Sequence, residues 1–177
     1  MNRELTDGLI IDDRHRGDLT SNLGTEWRVV TDQVMGGVSE GKLIIDRYKD
    51  RPCLRMHGAV STDHNGGFLQ IALALSTEHH FDASAYTGVA LDIAGNGESY
   101  NLHLRTTDLQ MPWESYRASF MATTDWQTLR FPFSQFKAHR TSEAFHADRL
   151  KRIGLVAIGR DFVADLCLAS IKFYSES

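Results

Sequence analysis

Cysteine and proline are scarce, with two and three copies in 177 residues. Cys53 and Cys167 lie far apart, without C-x-x-C spacing or a cysteine–histidine cluster, so the sequence offers no structural-zinc pattern and the two thiols read as small buried side chains. No apolar run approaches the roughly 18 residues of a membrane span, and membrane insertion is not expected. Positive charge is not in excess either. Lysine and arginine number 19 against 23 acidic residues, for a net charge of -4 spread through the chain, which argues against a nucleic-acid partner. The opening MNRELTDGLIIDDRHRGD is too acidic for a secretory or mitochondrial presequence, so a reducing, cytoplasmic setting is expected.

Helical patterning is thin as well. A turn around Glu4 to Ile11 and a short segment in TSEAFHADRL, with Thr141 or Ser142 as cap, are the only helical signals, and no strand-helix-strand rhythm exists. What recurs instead is alternation with period two, bounded by Gly, Asn and Asp. Leu54, Met56 and Val60 share one face opposite Arg55, His57 and Ala59. Leu69, Ile71, Leu73 and Leu75 fall together, as do Val89, Leu91 and Ile93. The turn signal GNG then leads to Tyr100, Leu102 and Leu104, alternating with Asn101, His103 and Arg105, and reads as a tight turn between two strands. In DLCLASIKFY the phase slips between Leu168 and Ile171, which predicts a β-bulge near Ala169 and Ser170. The hydrophobic content of 42% suits one core, and the pattern predicts an all-β chain: a jelly-roll β-sandwich of two antiparallel sheets in a single domain over residues 1–177. Most of Trp27, Phe68, Tyr100, Trp126, Phe131 and Leu155 should be core.

Two glycine-paired stretches stand out, TDQVMGGVS at 31–39 and STDHNGGF at 61–68. A phosphate cradle would lead into a helix N-terminus, whereas GGVSEGKLIID leads into a strand; G-x-G-x-x-G is absent, and G-x-x-x-x-G-K-[ST] is not met because Leu43 follows Gly41-Lys42. Gly36, Gly37, Gly66 and Gly67 therefore read as loop-shaping residues. HNGG alone reads as an ordinary hairpin loop. If the two loops meet at one edge, Asp32, Gln33, Ser39 and Asn65 could converge on one polar ligand or partner segment.

A second candidate surface is the polar face of Asn101, His103 and Arg105, with Ser115, Arg117 and Ser119 across a hairpin. Its donors and acceptors suit hydroxyls or a peptide backbone; its bland alternative is a solvated outer face. A sugar site would add an aromatic platform from Trp113, Trp126, Tyr116 or Tyr100. Trp113, in the loop QMPWES, is the candidate for an exposed indole, and Trp126 reads as packing. Gly37-Val38-Ser39-Glu40-Gly41 has G-x-S-x-G spacing but leads into a strand, so it is no nucleophile elbow; H-E-x-x-H is absent and His79-His80 would point to opposite faces, so no catalytic residue, metal ligand or cofactor is assigned.

The ordered set WRVVTDQVMGGVS at 27–39, HNGGF at 64–68, GESYNLHLR at 97–105, SYRASF at 115–120, DWQTLRFPFSQF at 125–136, IGLVAIGR at 153–160 and DLCLASI at 165–171 resembles the complex I intermediate-associated protein family. The resemblance covers about residues 27–174, with residues 1–26 as an N-terminal extension packing on the domain. It implies a fold similar to galactose-binding and carbohydrate-binding jelly rolls. It also implies a non-enzymatic, chaperone-like assembly factor whose protein partner is a respiratory complex subunit or assembly intermediate. The alternative function is a carbohydrate-binding module. Gln70-Ile71-Ala72 stands where the family often carries an arginine.

Overall fold

The computed structural model describes residues 8–176, and of Met35 and Asn65 the backbone only. The alternating segments become strands β1 Leu9–Asp12, β2 Arg28–Thr31, β3 Glu40–Tyr48, β4 Arg51–Val60, β5 Phe68–Ala74 and β6 Gly88–Ala94. They continue as β7 Ser99–Thr106, β8 Ser115–Met121, β9 Gln127–Pro132, β10 Lys137–His139, β11 Leu150–Ile158 and β12 Phe162–Tyr174. Pairing builds two six-stranded antiparallel sheets. The first runs β3-β4-β12-β6-β9 with β1 along β12, and the second runs β10-β8-β7-β11-β5-β2. The chain is an all-β jelly-roll sandwich, with no α-helix among the described residues.

The core lies between the sheets. Leu54, Met56, Leu69, Ile71, Leu73, Leu91, Ile93, Leu102, Leu104 and Leu155 are each at most 1% exposed, and each such side chain contributes about 1.5–3 kcal/mol on burial. Of the expected core aromatics, Trp27, Tyr100 and Phe131 are buried, whereas Phe68 and Trp126 are half-buried. Tyr100 also links the sheets: its hydroxyl accepts from the Asp165 N–H (2.9 Å) and donates to Asn96 Oδ1 (2.6 Å). Burial pushes that phenol up to about 12.

The bulge falls where the phase slip places it. β6 pairs Ile93 with Leu168 and Asp92 with Ser170, so Ala169 is the extra residue. Other expectations need correction. Residues 4–7 of the N-terminal helical turn lie outside the described residues, and Leu9–Asp12 form a strand on β12. In TSEAFHADRL only a 3-10 turn, Ala147–Arg149, forms, without a side-chain cap. The GNG segment joins β6 to β7, but these strands belong to different sheets. Such crossings recur: β2 to β3 and β4 to β5 also pass between sheets. HNGG is therefore a crossing, not a hairpin loop, and so is TDQVMGGVS.

Candidate functional site

The two glycine-paired crossings lie side by side, tied by one carboxylate. Asp32, fully buried, accepts from the Ser39 N–H (2.9 Å), the Ser39 hydroxyl, the Gly67 N–H (2.5 Å) and the Phe68 N–H (3.2 Å). Ser39 Oγ also accepts from the Ser61 N–H at 2.8 Å, which brings in the end of β4. Burial alone would raise the Asp32 pKa, but the hydrogen bonds from Gly67, Ser39 and Phe68 outweigh it and hold the carboxyl below its ordinary range. A Cβ on Gly37 would stand 2.5 Å from Asp32 Cγ and Oδ1, and one on Gly66 2.5 Å from Oδ2, so the carboxylate needs glycine on both sides. Gly36 closes the first turn at φ +86°, and Gly67 adopts φ +122°.

Asp32 and Ser39, expected as possible ligand contacts, are therefore consumed inside the clasp, with no exposed surface to offer. Gln33 is exposed, but its amide donates to Ser39 O at 2.9 Å. It borders a shallow depression of about 640 Å³ shared with Arg28, Val34 and Glu40. The Asn65 side chain lies outside the described residues.

The second candidate surface is a continuous outer sheet face. Lys137, Arg117, His103, Gly154, Ala72 and Arg28 stand opposite one another across the second sheet. Beside that row run Ser119, Asn101, Val156, Gln70 and Val30, and Arg152 stands opposite Arg105. Directly opposed residues present their side chains on the same face, so the middle of this surface has a floor of small residues, Gly154 and Ala72, between polar and cationic walls. Gln70 reaches over that floor: its Oε1 stands 2.8 Å from the position a Cβ on Gly154 would take. Ser119 donates to Asn101 Oδ1 at 2.7 Å.

Arg105 is half-buried and donates through Nη1 to the carbonyls of Met111 (2.9 Å), Pro112 (3.3 Å) and Glu114 (2.6 Å). It thereby pins the loop that carries Trp113, 53% exposed, at the rim. Arg117 donates through Nε to Ser115 Oγ at 2.8 Å. Burial first, then Arg152 beside Arg105 and Arg140 beside Arg117, press both guanidinium pKa values downward. None of Arg105, Arg117, Lys137, Arg140 and Arg152 takes part in the ion pairs of the described residues. Glu114, the carboxylate that acts on Arg105, accepts from the Gln110 and Met111 N–H groups. Burial, Arg117 and His139 push His103 down to about 3, and its Nε2 is buried without a hydrogen-bond partner. Tyr100 and Tyr116, considered as aromatic platforms, are each 1% exposed and turned into the core. Trp126 donates to Tyr48 O at 3.0 Å and packs edge-on against that ring.

The sequence pattern of the family described as Complex I intermediate-associated protein 30 (CIA30) matches residues 18–166. The chain belongs to this CIA30 family. No curated protein shows a significant sequence match. Among solved structures, the family 11 carbohydrate-binding module of a Clostridium thermocellum cellulosomal cellulase superposes with TM-score 0.76 at 16% identity, over 96% of this chain and 95% of the module. The same family's module from Clostridium thermocellum in complex with a β-1,3-1,4-mixed-linked tetrasaccharide gives TM-score 0.73 at 16% identity, over 96% of each chain. A family 30 carbohydrate-binding module from that organism gives 0.64 at 18%, over 85% of this chain and 92% of the module. At 16–18% identity these likenesses show the jelly-roll fold of this CIA30 member.

Sequence reading reached Asn101, His103, Arg105, Arg117 and Trp113, but missed Arg152, Lys137, His139, Arg140 and Gln70. Arg152 was legible in principle, since it shares parity with Gly154 and Val156 against the buried Ile153 and Leu155. That β11 lies beside β7 was not, because the pairing joins residues far apart in the chain.

Proposed function

We propose that this CIA30 member is a non-enzymatic binding module that works as a protein-binding assembly factor, and that the outer face of its second sheet is the docking surface. The observation that carries this reading is a cluster of arginines on a sheet face, two of them half-buried, with no carboxylate paired to them. Arg105 is met by the loop carbonyls it holds, but Arg117 has only Ser115, and a half-buried charge costs free energy unless something else meets it. The exposed Trp113 at the rim adds an indole of the kind enriched in interface hot spots. Family membership supports a respiratory-complex subunit or assembly intermediate as the partner. No helix among the described residues is long and apolar enough to cross a membrane. The same reading carries a cytoplasmic setting, in which the adjacent free thiols of Cys53 and Cys167 stay reduced.

A carbohydrate ligand is the second reading, favoured by the jelly-roll likeness and by the polar set Gln70, Asn101 and Ser119 over a small-residue floor. The test is affinity capture from a native lysate with wild type beside an Asn101→Ala/Arg117→Ala/Arg152→Ala variant. Arg105 is left intact because it holds the Trp113 loop. Specific proteins lost only from the variant are expected. Capture unchanged by the variant would contradict the assigned face, and glycan-array binding with no protein captured would put the carbohydrate reading first.

A further inference from the structure

Resting on that docking face, the arrangement of its charges specifies what the occupant looks like. Arg117 spends Nε on Ser115, and its terminal nitrogens have no hydrogen-bond partner among the described residues. Arg105 spends Nη1 on three loop carbonyls, and Arg152 stands directly opposite it on β11. The face thus holds two cationic centres, Arg117 with Arg140 and Arg105 with Arg152. His103 stands directly opposite Arg117, and Arg105 is the next residue of β7 on that face. Diagonal neighbours of this kind are about 7–8 Å apart. Alternate side chains of an extended chain are spaced by about 6.6–6.8 Å, which matches.

We infer that the face receives an extended acidic peptide segment with carboxylate side chains at alternate positions, one on Arg117 and the next on Arg105, where Arg152 flanks it. A carboxylate fits the guanidinium fork through parallel N–H···O bonds. The intervening residue would lie over β7 between His103 and Arg105, and the Gln70 amide, beside the floor of Gly154, remains for the peptide backbone further along. Long polyanions fit poorly, because the molecule as a whole is negative at -4 and repels them outside this patch. A sugar ring would meet no tyrosine or tryptophan on the strands of this face, since Tyr100 and Tyr116 are buried.

The test is fluorescence anisotropy of the full chain with labelled eight-residue synthetic peptides. One carries two aspartates separated by a single residue, one carries them adjacent, and one carries asparagines in their place. The alternating peptide should bind at least about tenfold tighter than the asparagine peptide and measurably tighter than the adjacent one. Arg117→Ala and Arg152→Ala, each checked for unchanged melting, should each weaken it by about tenfold. Equal binding of the asparagine peptide, or undiminished affinity in both variants, overturns the inference. So does saturation by a polyuronate or a single-stranded oligonucleotide when no peptide binds. If no peptide binds while the Asn101→Ala/Arg117→Ala/Arg152→Ala variant still loses its captured protein, the docking face stands and the acidic pair falls.

Discussion

The two outer faces of this sandwich are built from the same alternation and yet treat charge in opposite ways. On the first sheet, Arg55 donates to both oxygens of Asp165 (2.7 and 2.6 Å) and to Asp46 (3.2 Å), and Arg51 pairs with Asp92 at 2.6 Å. Asp165 beside it raises the Arg55 pKa, whereas burial lowers those of Arg105 and Arg117. One face is neutralised from within and the other is left positive. The first face is satisfied within the fold, and the second is the face proposed above for docking.

That contrast can be broken in order of expected effect. Gly37→Ala should be the most damaging, at about 2–4 kcal/mol by urea unfolding, because its Cβ meets a buried carboxylate that cannot move without releasing both crossings. Gly154→Ala is its counterpart on the second face. There the added Cβ crowds the flexible end of the Gln70 side chain and otherwise reaches the Ile71 carbonyl oxygen at an ordinary 3.5 Å, so the loss should stay under about 1 kcal/mol while the floor fills and binding falls. Between these comes Asp165→Ala, which strips the half-buried Arg55 of its bidentate partner and should cost about 1–3 kcal/mol. An outcome near zero would mean that the first face is not held by its pairs.

His103 gives a pH signature. Its folded pKa is depressed to about 3, below the unfolded value, so the unfolded chain binds the extra proton and stability falls as pH drops through the imidazole range. The slope attributable to His103 should reach up to about 1.4 kcal/mol per pH unit below pH 6.5, and His103→Asn should flatten it. Asp32 acts in a separate window. Its carboxyl is depressed too, so its contribution is complete above about pH 4 and is lost as pH falls through the lower folded value.

Much of the sandwich is legible in the residues because period-two alternation and burial report the same face: Leu69 to Leu75, Tyr100 to Leu104, and the bulge at Ala169 all follow from parity. The crossings are not legible in this way. Turn residues such as GNG and HNGG announce that the chain bends, but not whether the next strand joins the same sheet, which is decided by long-range pairing. The β3–β4 hairpin shows the converse, turning on Lys49 and Asp50 at φ +48° and +62° without a glycine or asparagine to announce it. For the site, strand parity grouped Asn101, His103 and Arg105, but Arg152 and Lys137 reach them only through pairing. Asp32 and Ser39 looked like free polar groups because sequence does not show the amides that surround them.

Replacing Arg117 and Arg152 with leucine, and following melting temperature and partner capture on the same preparation, tests the central claim most directly. If the second face is positive for recognition, removing its unpaired charge leaves melting unchanged or raises it while capture is lost. A fall in melting temperature with capture retained would contradict the account and make these arginines structural.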